Sequence, residues 1–98
     1  MLFASLALIS NHLESVHEGL HREEEELVLQ KDFLIQHREE LLLIRSHSGR
    51  MLWTKMIKEA EERVSDLQES VMDYKVLIER HTDEFQEKLV QILQQRKR

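Results

Sequence analysis

Leucine occupies every seventh position through the first half of the chain, at Leu6, Leu13, Leu20, Leu27, Leu34 and Leu41. A residue that recurs every seven positions returns to nearly the same side of an α-helix, so this ladder forms an apolar seam along one helix. The sequence therefore predicts a long helix that packs lengthwise against another helix. Three polar residues, Glu23, Gln30 and His37, interrupt the companion row of the seam.

A second ladder runs through the other half of the chain. Its members are Ile57, Val64, Val71, Ile78, Phe85 and Ile92, with Trp53, Leu67 and Tyr74 in the companion row. Leu41 and Ile57 are 16 positions apart, two more than two heptads. A continuous coiled coil absorbs insertions of three or four residues, so a slip of two indicates a break between the ladders. Gly49 and its serine neighbours fall in this gap and favour the end of a helix.

These features predict an all-α chain that forms an antiparallel helical hairpin of two coiled-coil-type helices. We expect a single module over residues 1–98, with helix 1 at about 2–45, a turn at about 46–50 and helix 2 at about 51–96. The absence of proline and the presence of only two glycines agree with long helices. One continuous helix in a parallel dimer is the alternative, because Gly49 alone does not force a reversal.

Composition excludes several classes of function. The chain has no cysteine, which excludes disulfides and thiolate chemistry and fits a reducing cytoplasmic or nuclear location. A net charge of −5 argues against nucleic-acid binding. The apolar stretch 2–9 lacks the cation that precedes a signal-peptide core and is shorter than the roughly 20 residues that span a bilayer, so we expect no membrane partner. The basic run 96–98 fits a solvated helix end.

One short motif carries chemistry. Residues 17–21 read His-Glu-Gly-Leu-His, which resembles the zinc-binding helix of the zincin metalloproteases. The resemblance implies zinc ligands at His17 and His21 and a general base at Glu18. It covers five residues, no longer zincin signature follows, and Leu20 inside it belongs to the leucine ladder. We therefore interpret these histidines as surface residues and expect no enzymatic activity.

A second metal hypothesis rests on the Glu-x-x-His spacing of di-iron helical bundles, which occurs twice here, ending at His17 and at His21. With a turn near residue 48, His81 would lie opposite His17. A metal-binding helical bundle using His17, His21 and His81 is thus the alternative function. We expect no cofactor, because the second half of the chain has no Glu-x-x-His of its own.

Apolar residues off the ladders are too numerous for one hairpin to bury. A helix that is apolar around much of its girth is usually surrounded, which predicts a four-helix bundle of two hairpins or docking onto other helical chains. The polar residues Glu23, Gln30 and His37 either select the partner or lie in solvent while Val28 and Ile35 make the contact. We favour the second, because those apolar neighbours offer an alternative stripe.

The sequence thus predicts a non-enzymatic assembly module that acts as a scaffold for homo- or hetero-oligomers. Its partner is a protein, either a second copy of the hairpin or a different helical chain. Trp53, Tyr74 and Phe85 are candidate anchors, because large aromatic side chains bury the most area. A pH-responsive assembly is a further possibility, since protonation of all six histidines would change the formal charge from −5 to +1.

Overall fold

The chain folds as an antiparallel helical hairpin, which confirms the predicted fold class. The computed structural model describes residues 2–96, and Met1, Lys97 and Arg98 of the predicted module lie outside them. Helix α1 spans Leu2–Leu41, helix α2 spans His47–Arg96, and residues 42–46 connect them. No strand occurs within residues 2–96. The alternative of one continuous helix is therefore wrong.

The connecting loop lies earlier than the turn predicted at 46–50. Helix α2 already begins at His47, so Gly49 is helical, and it does not have a positive φ. Ser46 is the reason: its Oγ accepts a hydrogen bond from the Gly49 amide at 3.2 Å, and its carbonyl accepts the bond from the Arg50 amide at 3.0 Å. Ser46 is therefore the N-cap of α2.

Helix α1 correspondingly ends at Leu41, before the predicted end near residue 45. After Leu41 the chain continues in a tighter turn. The amides of Leu42, Leu43 and Ile44 each donate to the carbonyl three residues earlier, at 2.9–3.3 Å. The guanidinium of Arg50 then donates to the carbonyl oxygens of Leu41 and Ile44 at 3.2 and 3.1 Å. Helix termini leave carbonyls unpaired, and Arg50 satisfies two of them here.

We predict that Ser46→Ala lowers the free energy of unfolding by about 1 kcal/mol, because the first turn of α2 loses its side-chain cap. Chemical denaturation followed by circular dichroism measures the change. Ser48→Ala is the matched control, since Ser48 is exposed within the helix and accepts no capping bond in the structure. An equal loss in both variants would contradict the capping role.

Packing divides the chain into two compact units. The turn unit comprises residues 22–71 and holds a core of Leu34, Ile57 and Ala60, with Phe33, Leu41 and Val64 packed against it. Leu67, at 2% exposure, is its most buried side chain. The end unit pairs residues 2–21 with the second part of α2 from residue 72, and its buried apolar side chains are Val16 and Ile92.

In the end unit the helices approach closely at Gly19. A Cβ atom placed there would lie 2.7 Å from Cε1 of Tyr74 and 2.9 Å from its hydroxyl oxygen. The Tyr74 ring therefore occupies the space that a side chain at position 19 would need. This contact accounts for a glycine in the middle of α1, where glycine otherwise costs about 1 kcal/mol relative to alanine.

Gly19→Ala should lower the free energy of unfolding by about 1–3 kcal/mol, because the added methyl overpacks against Tyr74. In a Tyr74→Leu background the same change should instead raise it by up to about 1 kcal/mol through helix propensity. Thermal and denaturant unfolding of the four proteins of this cycle measures both effects. The same sign in both backgrounds would show that Tyr74 is not the cause.

Candidate interaction surface

The ladder side chains are largely used within the hairpin. Val71, Leu34, Ile57, Leu67 and Ile92 are buried, and the remaining ladder and companion-row residues predicted as an interface are half-buried. These half-buried residues are Leu6, Leu13, Leu20, Leu27, Leu41, Trp53, Val64, Tyr74, Ile78 and Phe85. The surface that remains for another molecule is therefore formed mainly by residues outside the ladders.

The three polar residues of the α1 seam lie at half-buried positions. Glu23, Gln30 and His37 are all partly covered, whereas Val28 and Ile35 are 59% and 58% exposed. The expected rotation of α1, with these apolar residues in the contact, is therefore wrong. His37 shows why the polar position is tolerated: its ring stacks on Phe33 at a centroid distance of 3.6 Å, and its Nδ1 donates to the Phe33 carbonyl at 2.9 Å.

One concave surface of the turn unit lies between its two helices. Gln30, Phe33, Met56, Glu59, Ala60 and Arg63 line it. Leu29 precedes Phe33 by four residues and Leu52 precedes Met56 by four, so each lies one turn along the same side of its helix. Both leucines are more than half exposed. We call this surface, with Leu29 and Leu52 at its rim, the turn-unit groove.

Ion pairs cross between the helices of the turn unit. Arg63 donates twice to Oε1 of Glu26, from Nη2 at 2.6 Å and from Nε at 3.0 Å. These hydrogen bonds and the charge of Glu26 raise the pKa of Arg63, whose guanidinium lies beside the groove. Arg38 pairs with Glu61 at 3.1 Å. Both pairs are exposed to solvent, which screens them, so they contribute little to stability.

Phe33, His37 and Trp53 form a stacked cluster in the turn unit, and the carboxylate of Glu40 is hydrogen-bonded to its Trp53. Oε2 of Glu40 accepts a hydrogen bond from the Trp53 indole at 3.0 Å, and its Oε1 accepts one from the Gln36 amide at 3.0 Å. Both bonds favour the carboxylate, so they lower the pKa of Glu40, the Trp53 bond most strongly. The Trp53 ring in turn lies over His37, with centroids 6.1 Å apart.

Trp53→Phe should raise the pKa of Glu40 toward its ordinary value, because the strongest donor to the carboxylate is lost. Since the folded state lowers the pKa of Glu40, its contribution to stability is present above the unfolded pKa and lost as the pH falls through the folded one. Carbon-detected NMR titration of the Glu40 carboxyl measures the shift. Gln36→Ala should raise the pKa of Glu40 less, and an unchanged pKa in Trp53→Phe would contradict the assignment.

The structure does not assemble the histidines proposed as metal ligands. His17 and His21 are exposed, and Gly19 between them faces Tyr74 in the helix contact. His81 lies edge-on to His12, with ring centroids 4.5 Å apart. The loop is nearer the N-terminus than predicted, so the residue opposite His81 is also nearer the N-terminus than His17. Among the described residues, no group of three or more His, Cys, Asp or Glu side chains is arranged to hold a metal ion.

Leu29, Phe33, Leu52 and Met56 lie off the two ladders, so the seven-residue repeats do not identify them. Their spacing carried a further signal, because Leu29 with Phe33 and Leu52 with Met56 are both separated by four residues. The sequence pattern also does not predict that Leu42 and Leu43 lie in a loop, since both fall within the predicted range of helix 1. An apolar sequence such as Leu41–Ile44 is more typical of a helix than of a loop.

Comparisons with protein-family models, with curated proteins and with solved structures give no match to this chain. Among the described residues, neither helix has a stretch long and apolar enough to cross a membrane.

Proposed function

We propose that this protein is a non-enzymatic helical assembly module that joins chains by docking a partner helix into the turn-unit groove. The partner is a second copy of the hairpin, which would give a four-helix bundle, or a different helical chain. As part of the same proposal the module acts inside the cell, a reducing environment that a chain without cysteine fits.

The observation that carries the proposal is the apolar surface left after the two helices pack. Among the described residues, seven apolar side chains are buried, whereas fifteen large ones are 38% to 81% exposed. Single exposed apolar residues are normal, but a contiguous apolar surface marks an interaction site. Phe33 and Met56 line one groove from both helices of the turn unit, and Leu29 and Leu52, each one turn earlier on its helix, extend its apolar surface in opposite directions.

The shape and polarity of the groove suit a helix as its occupant. A partner helix lying between α1 and α2 would contact apolar side chains one turn apart on each, which is how helices recognise one another. The charged groups Glu59 and Arg63 line the same groove beside Phe33 and Met56. They provide polar contacts that discriminate between partners, while the apolar side chains supply most of the binding energy.

The test is the mass of the protein in solution. We expect the wild-type chain, of 11.8 kDa, to form a dimer or a larger assembly in native mass spectrometry and light scattering. Leu29→Glu should weaken the assembly by about tenfold to a hundredfold, because it places a charge where the partner helix would cover a leucine. Since Leu29 is 67% exposed in the hairpin, helicity by circular dichroism should be retained.

Gln68→Glu is the control, because it adds the same charge at an exposed position of α2 outside the groove lining. It should leave the mass unchanged. A wild-type chain that remains a fully helical, cooperatively folded monomer at all concentrations would contradict the proposal. A chain that becomes stable only with a different helical protein would identify the hetero-oligomeric form, and Leu29→Glu should then weaken that complex.

A further inference from the structure

The segment around the loop is basic although the chain as a whole is acidic. Residues 41–58 contain Arg45, Arg50, Lys55 and Lys58 and no Asp or Glu, a formal charge of +4. The whole chain carries −5, so the remaining residues carry −9. We call residues 41–58 the tip segment. Charge is therefore concentrated with one sign at the turn and with the opposite sign elsewhere in the sequence.

The same segment exposes the most solvent-accessible apolar side chains described in the chain. Leu42 and Leu43 are 81% and 80% exposed, and both belong to the loop rather than to a helix. Met51, in the first turns of α2, is 61% exposed. Two adjacent leucines in a loop do not form the repeat of three and four residues with which a helix docks onto a partner helix.

The backbone of this loop is held in place while the leucine side chains face solvent. The amides of Leu42 and Leu43 donate to the carbonyl oxygens of Glu39 and Glu40 at 3.2 and 2.9 Å. Arg50 bonds to the carbonyls on either side of the leucines, those of Leu41 and Ile44. The amides of the two leucines and the carbonyls that flank them are therefore hydrogen-bonded, which fixes the backbone that carries the exposed side chains.

Cationic side chains follow the exposed leucines in the first turns of α2. His47, Arg50, Met51, Thr54, Lys55 and Lys58 line one shallow depression on the first turns of α2. Lys55 also lies 3.9 Å from Glu59, a weak exposed pair that leaves it accessible. The tip segment thus combines exposed leucines in the loop with cationic side chains on the first turns of α2. Two carboxylates outside the segment touch it, Glu40 at Trp53 and Glu59 at Lys55.

From this combination we infer that the tip segment binds the surface of a bilayer that contains anionic lipids. Leu42 and Leu43 enter the boundary between headgroups and acyl chains, and Arg45, Lys55 and Lys58 contact the acidic headgroups. An anionic surface repels the acidic remainder of the chain, so the tip segment is the part that approaches it. Binding of this kind needs no membrane-spanning helix.

Cosedimentation with vesicles tests the inference directly. We expect the wild-type protein to bind vesicles of phosphatidylcholine and phosphatidylserine at low salt and to bind pure phosphatidylcholine vesicles at least about tenfold more weakly. Binding to the anionic vesicles should fall as salt is added, because exposed charges are screened.

Two double variants separate the apolar and the charged contributions. Leu42→Ser with Leu43→Ser should weaken binding to anionic vesicles by about tenfold or more, whereas Leu8→Ser with Leu93→Ser, at exposed leucines outside the tip segment, should not. Lys55→Gln with Lys58→Gln should weaken binding by about thirtyfold. The control Lys31→Gln with Lys75→Gln makes the same change in net charge at exposed positions elsewhere and should have little effect.

A labelling experiment locates the contact. Because the chain has no cysteine, Leu43→Cys and Leu8→Cys can each carry a single polarity-sensitive dye. Anionic vesicles should shift the emission of the dye at position 43 to the blue and leave the dye at position 8 unchanged.

Three results would overturn the inference. The first is no binding to anionic vesicles by a protein that keeps its helicity, and the second is an equal loss in the tip variants and their controls. The third is a change in solution mass caused by the tip variants with vesicle binding unaltered, which would identify the tip segment as a contact for an acidic protein. None of these results depends on the turn-unit groove, so the assembly proposal is judged separately by Leu29→Glu.

Discussion

Two helices that pack side by side can each bury only one stripe, and the rest of this structure depends on that limit. The stripes chosen here contain the ladder residues, with Leu67 almost completely covered in the turn unit. Close contact along the stripe needs small residues at particular points. Ala60 is buried in the turn-unit core, and Gly19 leaves room for the Tyr74 ring in the end unit. Many apolar residues outside the stripe are exposed to solvent in the hairpin.

The position of the loop determines which residues face one another across the stripe. Ser46 caps α2 and so starts it at His47, while Arg50 satisfies the last carbonyls before it. The position of the loop therefore also sets which residues of α1 and α2 lie opposite each other further from it. A loop only a few residues away from its predicted position is enough to bring His12, rather than His17, beside His81. Metal hypotheses that rest on opposed histidines in a hairpin are therefore very sensitive to the placement of the turn.

The helices, their antiparallel arrangement and the buried stripe could be predicted from the two ladders, because a repeat of seven has a direct geometric meaning. The loop could not be placed correctly for two reasons. Leu41–Ile44 has the composition of a helix. Gly49 favours a helix end, so the sequence places the turn later than the Ser46 cap does. The orientation of α1 near His37 was also misjudged. The His37 ring stacks on Phe33 and bonds to the Phe33 carbonyl one turn earlier. A pattern of hydrophobic residues reveals neither contact.

The two surfaces proposed for binding lie within one short part of the sequence but have different chemistry. Met51 and Leu52 are neighbours, and successive residues of a helix point about 100° apart. Met51 therefore belongs to the basic depression with Lys55 and Lys58, whereas Leu52 lies on the side of Met56 and the groove. The groove carries the acidic Glu59 beside Arg63, which suits a helix with mixed charge, whereas the charged residues within the tip segment itself are all cationic. The two linings lie on different sides of α2, so the two proposals do not exclude each other.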